Sequence, residues 1–421
     1  MRVREWIVRH AISPYGLVAL SLAFFLFSWT FPPATYTHFI YEPDLMYLDP
    51  GILLFFLLCV LGFTAGLVLV STAFPSREWN RFTFAVRFSP MCFLLLPVLG
   101  GTVLTVLSCV LLVRNNENLL PLLIAGEAAE LKSVGGMDTG SSLGLAPIAL
   151  MGIVWWAAWR KGQLGLAGWR RFVVALLIGV GLVSTLVSAV LRFGRGEFMP
   201  ILVGTAIVFL LGKLSCGELR WTALVRYAII FLVLVVVFFS AFSLLRGSSP
   251  SEAVARDVLS YSVASYNRLA ALLDGRLRYP YAGKGIYLSS FVAFNDTFNR
   301  VFGINTTLSW PDFTSVWQSE FGAVTNAGLN GALIWSGTFG YIFSDLGWFS
   351  PLLLFVYGVT TGCTWKALHQ DRALGVVLYP WFAFCVLFWF GTNYLTDTKL
   401  VVLLVVGIAL GAYEYVFLQR A

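Results

Sequence analysis

The residues of this chain with most to offer chemistry are arginines in places where charge is costly. In the stretch 191–200 (LRFGRGEFMP), Arg192, Arg195 and Glu197 fall in a tight turn between two long apolar runs. A charge at that depth in a membrane faces a cavity or a partner. Gly194 and Gly196 leave the backbone uncovered, so a phosphate could approach closely, and a guanidinium fork matches its oxygens bidentately. An interfacial pair between Arg195 and Glu197, or snorkelling to headgroups, explains the same residues. Both readings stand at this point.

A second concentration of cations lies in residues 246–346: Arg246, Arg256, Arg268, Arg276, Arg278, Lys284 and Arg300. Pairing with Glu252, Asp257, Asp274 and Asp296 of the same segment accounts for any one of them, whereas the set as a whole suits an anion site that holds a substrate phosphate. Asp345, in SGTFGYIFSDLGW (336–348), sits where the chain re-enters an apolar run. A carboxylate there could take a proton from a sugar hydroxyl. It could equally cap the following helix, since Asp is a favoured N-cap.

Other chemistries are poorly served. Of the three histidines, His10 and His369 fall on the expected cytoplasmic side and His38 in the first outer loop. There is no phosphate-binding Gly-rich loop with Lys, and no cluster of Asp around one residue in an outer segment. The six cysteines, Cys59, Cys92, Cys109, Cys216, Cys363 and Cys385, show no metal-ligand spacing and read as packing residues. The chemistry expected is independent of ATP, of metal and of any cofactor.

The elements that must position these groups are membrane helices. The chain is 58% hydrophobic and 12% charged, with a mean hydropathy of +0.82, against roughly 25% charged residues in a soluble domain. Runs of about 20 apolar residues recur, the length that crosses the hydrocarbon core as a helix. They are continuously apolar rather than alternating, so a helical bundle is expected and not a barrel. Spans are predicted near 14–32, 51–74, 89–113, 143–159, 172–191, 198–215, 227–245, 347–365, 373–392 and 400–418, about ten in all. The first follows Arg2, Arg4 and Arg9 and is too long for the core of a cleaved signal, so it is expected to be retained.

Charge orients the bundle. Arg77, Arg81 and Arg87, and Arg160, Lys161, Arg170 and Arg171, fall in short loops on one side, as cytoplasmic loops require. Both termini are then cytoplasmic, and 246–346 is outside. The pI of about 9.1 reports this topology, not a nucleic-acid partner. Three parts follow: spans one to seven (1–245), the outer segment (246–346) and spans eight to ten (347–421). Within the first, 119–131 with Glu127 and Glu130 reads as an interfacial helix, followed by a Gly/Ser-rich link over 135–142. The outer segment opens with Ser249, Pro250 and Glu252 as a helix start. Val254, Val258, Tyr261, Leu269 and Leu272 then form one face, and Gly275 ends the helix. A second helix is predicted over 286–301 through Phe291, Phe294 and Phe298. Trp310, Phe313, Trp317 and Phe321 follow as an aromatic stretch. No internal repeat is visible.

This layout resembles the Wzy-type O-antigen polymerases, the oligosaccharide repeat-unit polymerases of bacterial surface polysaccharides. The carriers are the 194–196 turn opening a span, Arg246 just after the span before the large outer loop, and the 266–268 region (YNR). The 281–285 turn (YAGKG), and Thr338, Tyr341 and Asp345 at the re-entry, add to it. The resemblance runs over most of the chain and rests on order and spacing, not on one motif. It implies an all-α, GT-C-like membrane glycosyltransferase of the bacterial inner membrane. Polyprenyl-pyrophosphate-linked oligosaccharides would be both donor and acceptor, with membrane lipid and a chain-length regulator as partners. Arg195, Arg246 and Asp345 would be catalytic, and Arg192, Glu197, Tyr266, Arg268, Arg278 and Lys284 would bind substrate. O-antigen ligases look similar but usually carry a histidine in the large outer loop, which this chain lacks. A lipid-linked oligosaccharide flippase would need substrate contacts at mid-membrane, and the scarcity of charge deep in the spans counts against it. A membrane acyltransferase is weakened by the missing histidine.

Overall fold

Proline and small polar residues punctuate the chain, and helices start where they stand. In the computed structural model, which describes residues 10–74, 84–125, 142–192, 195–244, 256, 258–288, 303, 311 and 313–420, the helices are α1 (Pro14–Trp29), α2 (Pro33–Ile40), α3 (Pro50–Ala73), α4 (Pro90–Asn115), α5 (Leu119–Ala125), α6 (Ala146–Lys161), α7 (Gly168–Leu191), α8 (Arg195–Ser215), α9 (Trp221–Leu244), α10 (Val263–Leu273), α11 (Phe313–Asn326), α12 (Gly337–Leu346), α13 (Ser350–His369), α14 (Ala373–Leu387) and α15 (Thr398–Phe417). Six of them (α1, α2, α3, α4, α6 and α13) carry proline in the first turn, where its missing N–H costs nothing. Asp49 caps α3 by accepting from Gly51 N at 2.6 Å.

Among the described residues, seven stretches are helical, long and apolar enough to cross a membrane, or eight if α1 and α2, bent through 90° at their junction, form one broken span. The expectation of about ten is therefore met only in part. α14, with 15 residues, falls short of the roughly 20 residues a span needs, whereas α9 is a 24-residue helix. The protein is a polytopic helical membrane protein.

α14 is the central helix of the bundle. Almost its whole surface is buried, from Val376 to Val386, as a helix apolar all round must be. α1, α6, α8, α13 and α15 surround it. Outward rows such as Val103, Leu104, Val106, Leu107 and Val110 on α4, and Leu176, Val180, Val183 and Val187 on α7, are exposed, as lipid-facing residues would be. The closest helix pair is α3 with α13, and glycine explains it. A Cβ on Gly66 would lie 2.2 Å from Phe355 O, and one on Gly358 would lie 2.0 Å from Phe63 O. Small residues let the two backbones touch.

Two three-residue strands, β1 (Phe84–Val86) and β2 (Leu418–Arg420), pair antiparallel in the register Phe84 to Arg420. They were not expected in an all-helical chain, and they join the α3–α4 connection to the C-terminal end. Both lie opposite the end that carries residues 246–346.

The large segment has a core of its own, built from Leu277, Tyr279, Ile286, Tyr287, Val316, Val324, Leu329, Ile334 and Tyr341. Its described residues fold around this core, as apolar faces require. α10 ends as expected, with Gly275 at φ 73° after the C-cap Asp274. Ahead of the span α13, α12 forms a separate short helix that breaks at Gly347, φ 55°, where the chain re-enters the apolar run. The interfacial helix is described only as α5. Glu127, Glu130, the 249–252 start, Val254 and Phe291, Phe294 and Phe298 lie outside the described residues, as do Trp310 and the side chain of Phe313.

Candidate anion site at the loop-bearing end

Four elements meet at the end of the bundle that carries the large segment: the start of α6 with the turn before it, the last turns of α7, the start of α8 and the start of α15. They enclose a crevice lined by Gly144, Met151, Thr185, Ser188, Arg192 and Lys399, among others. Its interior volume is about 20 Å³, enough for one water molecule. The Arg192 Nη2 donates to Gly144 O at 3.2 Å, and its Nε is buried with no hydrogen-bond partner. A guanidinium N–H shut away from water is costly unless something accepts from it. On the far wall, Lys399 Nζ lies 2.9 Å from Asp397 Oδ2, and Asp397 also caps α15 by accepting from Lys399 N.

α8 begins at Arg195, so its N-terminal amides open towards this end, where a helix favours anions. The side chains of Arg195 and Glu197, the whole of Gly194 and all of Arg246 lie outside the described residues. Lys399 was missed in the sequence, although a signal exists. A lysine in the first turn of a helix opposes the helix dipole and so invites a reason for its presence.

Arg268 is corrected. It is fully buried, and all of its donors are committed within the protein. Nη1 donates to Glu42 Oε1 at 2.9 Å and Ala264 O at 2.7 Å, Nη2 to Glu42 Oε2 at 2.7 Å and Asn330 O at 3.0 Å, and Nε to Leu333 O. Burial presses its pKa down, but the Glu42 carboxylate outweighs that, and the net shift is upward. No donor is left for a phosphate. Glu42 also accepts from Asn267 Nδ2 at 2.9 Å, from Asn330 N at 2.7 Å and from the Tyr36 hydroxyl. This knot ties α2 and the 41–45 loop to α10 and the 330–333 turn.

Tyr266 is corrected as well. Its ring stands edge-on to Phe25 and Phe56, with centroids 5.0 Å and 5.9 Å away, and only 1% of it is exposed. It belongs to the bundle core, with its hydroxyl buried and without a hydrogen-bond partner.

Asp345 neither caps the following helix nor stands ready as a base. Its Oδ1 accepts from Gly283 N at 3.0 Å and Gly285 N at 3.1 Å, and its Oδ2 from Tyr287 N at 2.8 Å and Leu288 N at 3.1 Å. Four amides fill the four lone-pair positions of a carboxylate. Asp345 is a clasp that folds 283–288 onto α12, which explains the glycines of the 281–285 turn: Gly283 and Gly285 take φ 78° and 72°. Lys284 is exposed in that turn, over the Tyr281 ring at 5.2 Å. Arg278 is exposed, apart from the crevice.

Beneath the clasp lies a group the sequence did not announce. Tyr279, Tyr287 and Tyr341 have centroids 5.5–5.7 Å apart, and Glu320 is buried beside them. Its contact is long, from Tyr341 Oη to Oε2 at 3.4 Å. Burial pushes the Glu320 pKa up to about 8.

At the opposite end a second arginine is buried. Arg160 contacts Asp371 Oδ1 at 2.7 Å and Glu414 Oε1 at 2.5 Å, with Trp156 Nε1 on Glu414 at 2.6 Å and Trp159 Nε1 on Asp371 at 2.7 Å. The positive-inside reading treated Arg160 as a loop charge. Folding instead places it in a network that holds α6, α15 and the α13–α14 turn together. Among the described residues, no group of His, Cys, Asp or Glu could hold a metal ion.

Comparison with family models, with curated proteins and with solved structures found no match to this chain.

Proposed function

We propose that this chain is a GT-C-like glycosyltransferase that joins polyprenyl-pyrophosphate-linked oligosaccharide repeat units, acting on the outer face of a bacterial inner membrane. The observation that carries the reading is Arg192. Its Nε is buried without a hydrogen-bond partner, and the residue lines a crevice together with Lys399, near the start of α8 and at the end that bears the large segment. The crevice is too small for a pyrophosphate, so the lipid headgroup lies at its mouth, with the α8 amides and Arg195 close by in sequence. The likeness to the Wzy-type polymerases supplies the substrate class.

In the transfer, the acceptor hydroxyl oxygen bonds to the donor's anomeric carbon as the bond from that carbon to the pyrophosphate oxygen breaks. The polyprenyl pyrophosphate leaves with the electron pair, and the hydroxyl proton passes to a base. The protein's main task is to stabilise charge growing on the leaving group, which fixed cations do well. Asp345 is not that base, because its lone pairs are occupied.

The test is polymer length on a gel beside protein abundance in the membrane. Deleting the protein leaves surface glycan with a single repeat unit, already translocated. Arg192→Ala and Lys399→Met lower turnover by about 10²–10³, and Arg192→Lys recovers part of it, having charge without the fork. Full-length polymer from Arg192→Ala at normal abundance overturns the site. A repeat unit stranded on the cytoplasmic leaflet after deletion points to a transporter instead.

A further inference from the structure

The large segment carries a second basic feature, away from the crevice. Residues 276–280 and α11 form the walls of an open groove of about 410 Å³, lined by Arg276, Arg278, Pro280, Ser319, Gly322 and Asn326, with Ala323 and Ala327 beside them. That volume is in the range of small-molecule sites, roughly 300–1,000 Å³. Both arginines are exposed, and among the described residues neither has an acidic partner. Among the described residues, no carboxylate lines the groove.

The floor of the groove is the stronger observation. Ser319, Gly322 and Asn326 are three and four residues apart, on one face of α11. Gly322 stands in the interior of that helix, where glycine is disfavoured relative to alanine. Among the described residues, nothing demands it. Its φ is not positive, and a Cβ built there meets no atom within 4 Å. The missing side chain leaves the helix backbone uncovered there, which permits the close approach of something outside the protein. Beside the lowered floor stand the Ser319 hydroxyl, which already donates to Val316 O at 2.6 Å and is left to accept, and the exposed Asn326 amide.

We propose that this groove binds an anionic glycan, a chain whose sugars carry carboxylates. Arg276 and Arg278 take the carboxylates in their forks, Asn326 and Ser319 bind hydroxyls, and the gap at Gly322 admits the flat of a ring. The sugar half of the inference rests on the glycan-transfer reading above; the anion half does not. The occupant is the polymer or its acceptor end, held outside the reacting atoms.

The experiment is binding of fluorescent trigalacturonate to the full-length protein in phosphatidylcholine nanodiscs, with maltotriose as the neutral competitor. Trigalacturonate binds and maltotriose does not displace it. The double variant Arg276→Gln/Arg278→Gln weakens binding about tenfold or more, and so does Gly322→Leu, which fills the floor while favouring the helix. Unchanged binding in either variant overturns the proposal; in particular, loss in the arginine variant with none in Gly322→Leu leaves only a charged surface. Displacement by maltotriose removes the carboxylate from the account. Loss of binding when phosphatidylglycerol replaces part of the phosphatidylcholine assigns the groove to lipid headgroups and also overturns it. No turnover is needed, so a repeat unit stranded on the cytoplasmic leaflet after deletion of the protein sinks the transfer reading and leaves the carboxylate binding of the groove standing.

Discussion

The guanidinium of Arg268 and the carboxylate of Glu42, 226 residues apart in the chain, form a two-pronged pair from which solvent is wholly excluded. One partner is in the loop between α2 and α3, the other in the large segment. The pair therefore fastens the segment to the start of the bundle. A buried pair of this kind adds little net stability over an apolar substitute, but losing one partner strands the other.

Arg268→Ala is accordingly expected to cost about 3–5 kcal/mol and to show as lost protein in the membrane. Glu42→Ala does the same, since it also strands Asn267 and Asn330. Activity per folded molecule should stay near normal. A variant of Arg268 that accumulates normally yet makes no polymer returns this residue to the substrate.

Asp345→Asn replaces one acceptor oxygen by a donor, so two of the four amides of the clasp lose their partner. The 283–288 turn should open, and Lys284, already exposed, should become the preferred site of limited trypsin cleavage. Cleavage patterns of the variant and the parent that match at all trypsin concentrations argue against the clasp.

Glu320 gives a pH signature. With its pKa raised from 4.5 to about 8 by burial, the folded state holds a proton that the unfolded state has released. Stability therefore falls as pH rises from about 4.5 to 8 and levels off above that. The full loss is on the order of 5 kcal/mol. Glu320→Gln, neutral and of the same shape, should remove this part of the slope when thermal unfolding in detergent is followed from pH 5 to 9. Identical slopes for the two proteins would mean the carboxyl is not held neutral.

Topology can be read independently. The β1–β2 pairing puts the α3–α4 connection and the C-terminal end on one side. Reporters fused after Leu164 and His369 should report the cytoplasm, and one fused after Lys284 the outside. An exoplasmic His369 inverts the bundle, and with it the side on which Arg192 and the groove work.

The sequence alone determined the helical bundle, where most helices begin and end, and the folded segment between α9 and α13. These follow from local causes: apolar runs of membrane length, prolines in first turns and glycines such as Gly275 where the backbone must turn left-handed. It also singled out Arg192 and the 281–285 turn. What it could not decide was which charges are free. Arg268 and Arg278 look alike in sequence, ten residues apart. One is locked to Glu42 from a distant loop and the other faces an open groove. Asp345 was equally ambiguous until four amides from 283–288 were seen to converge on it. Glu320 and Lys399 gained meaning only from neighbours far along the chain. The fate of a polar side chain depends on desolvation and on partners within about 3 Å, and those distances exist only once the helices have packed.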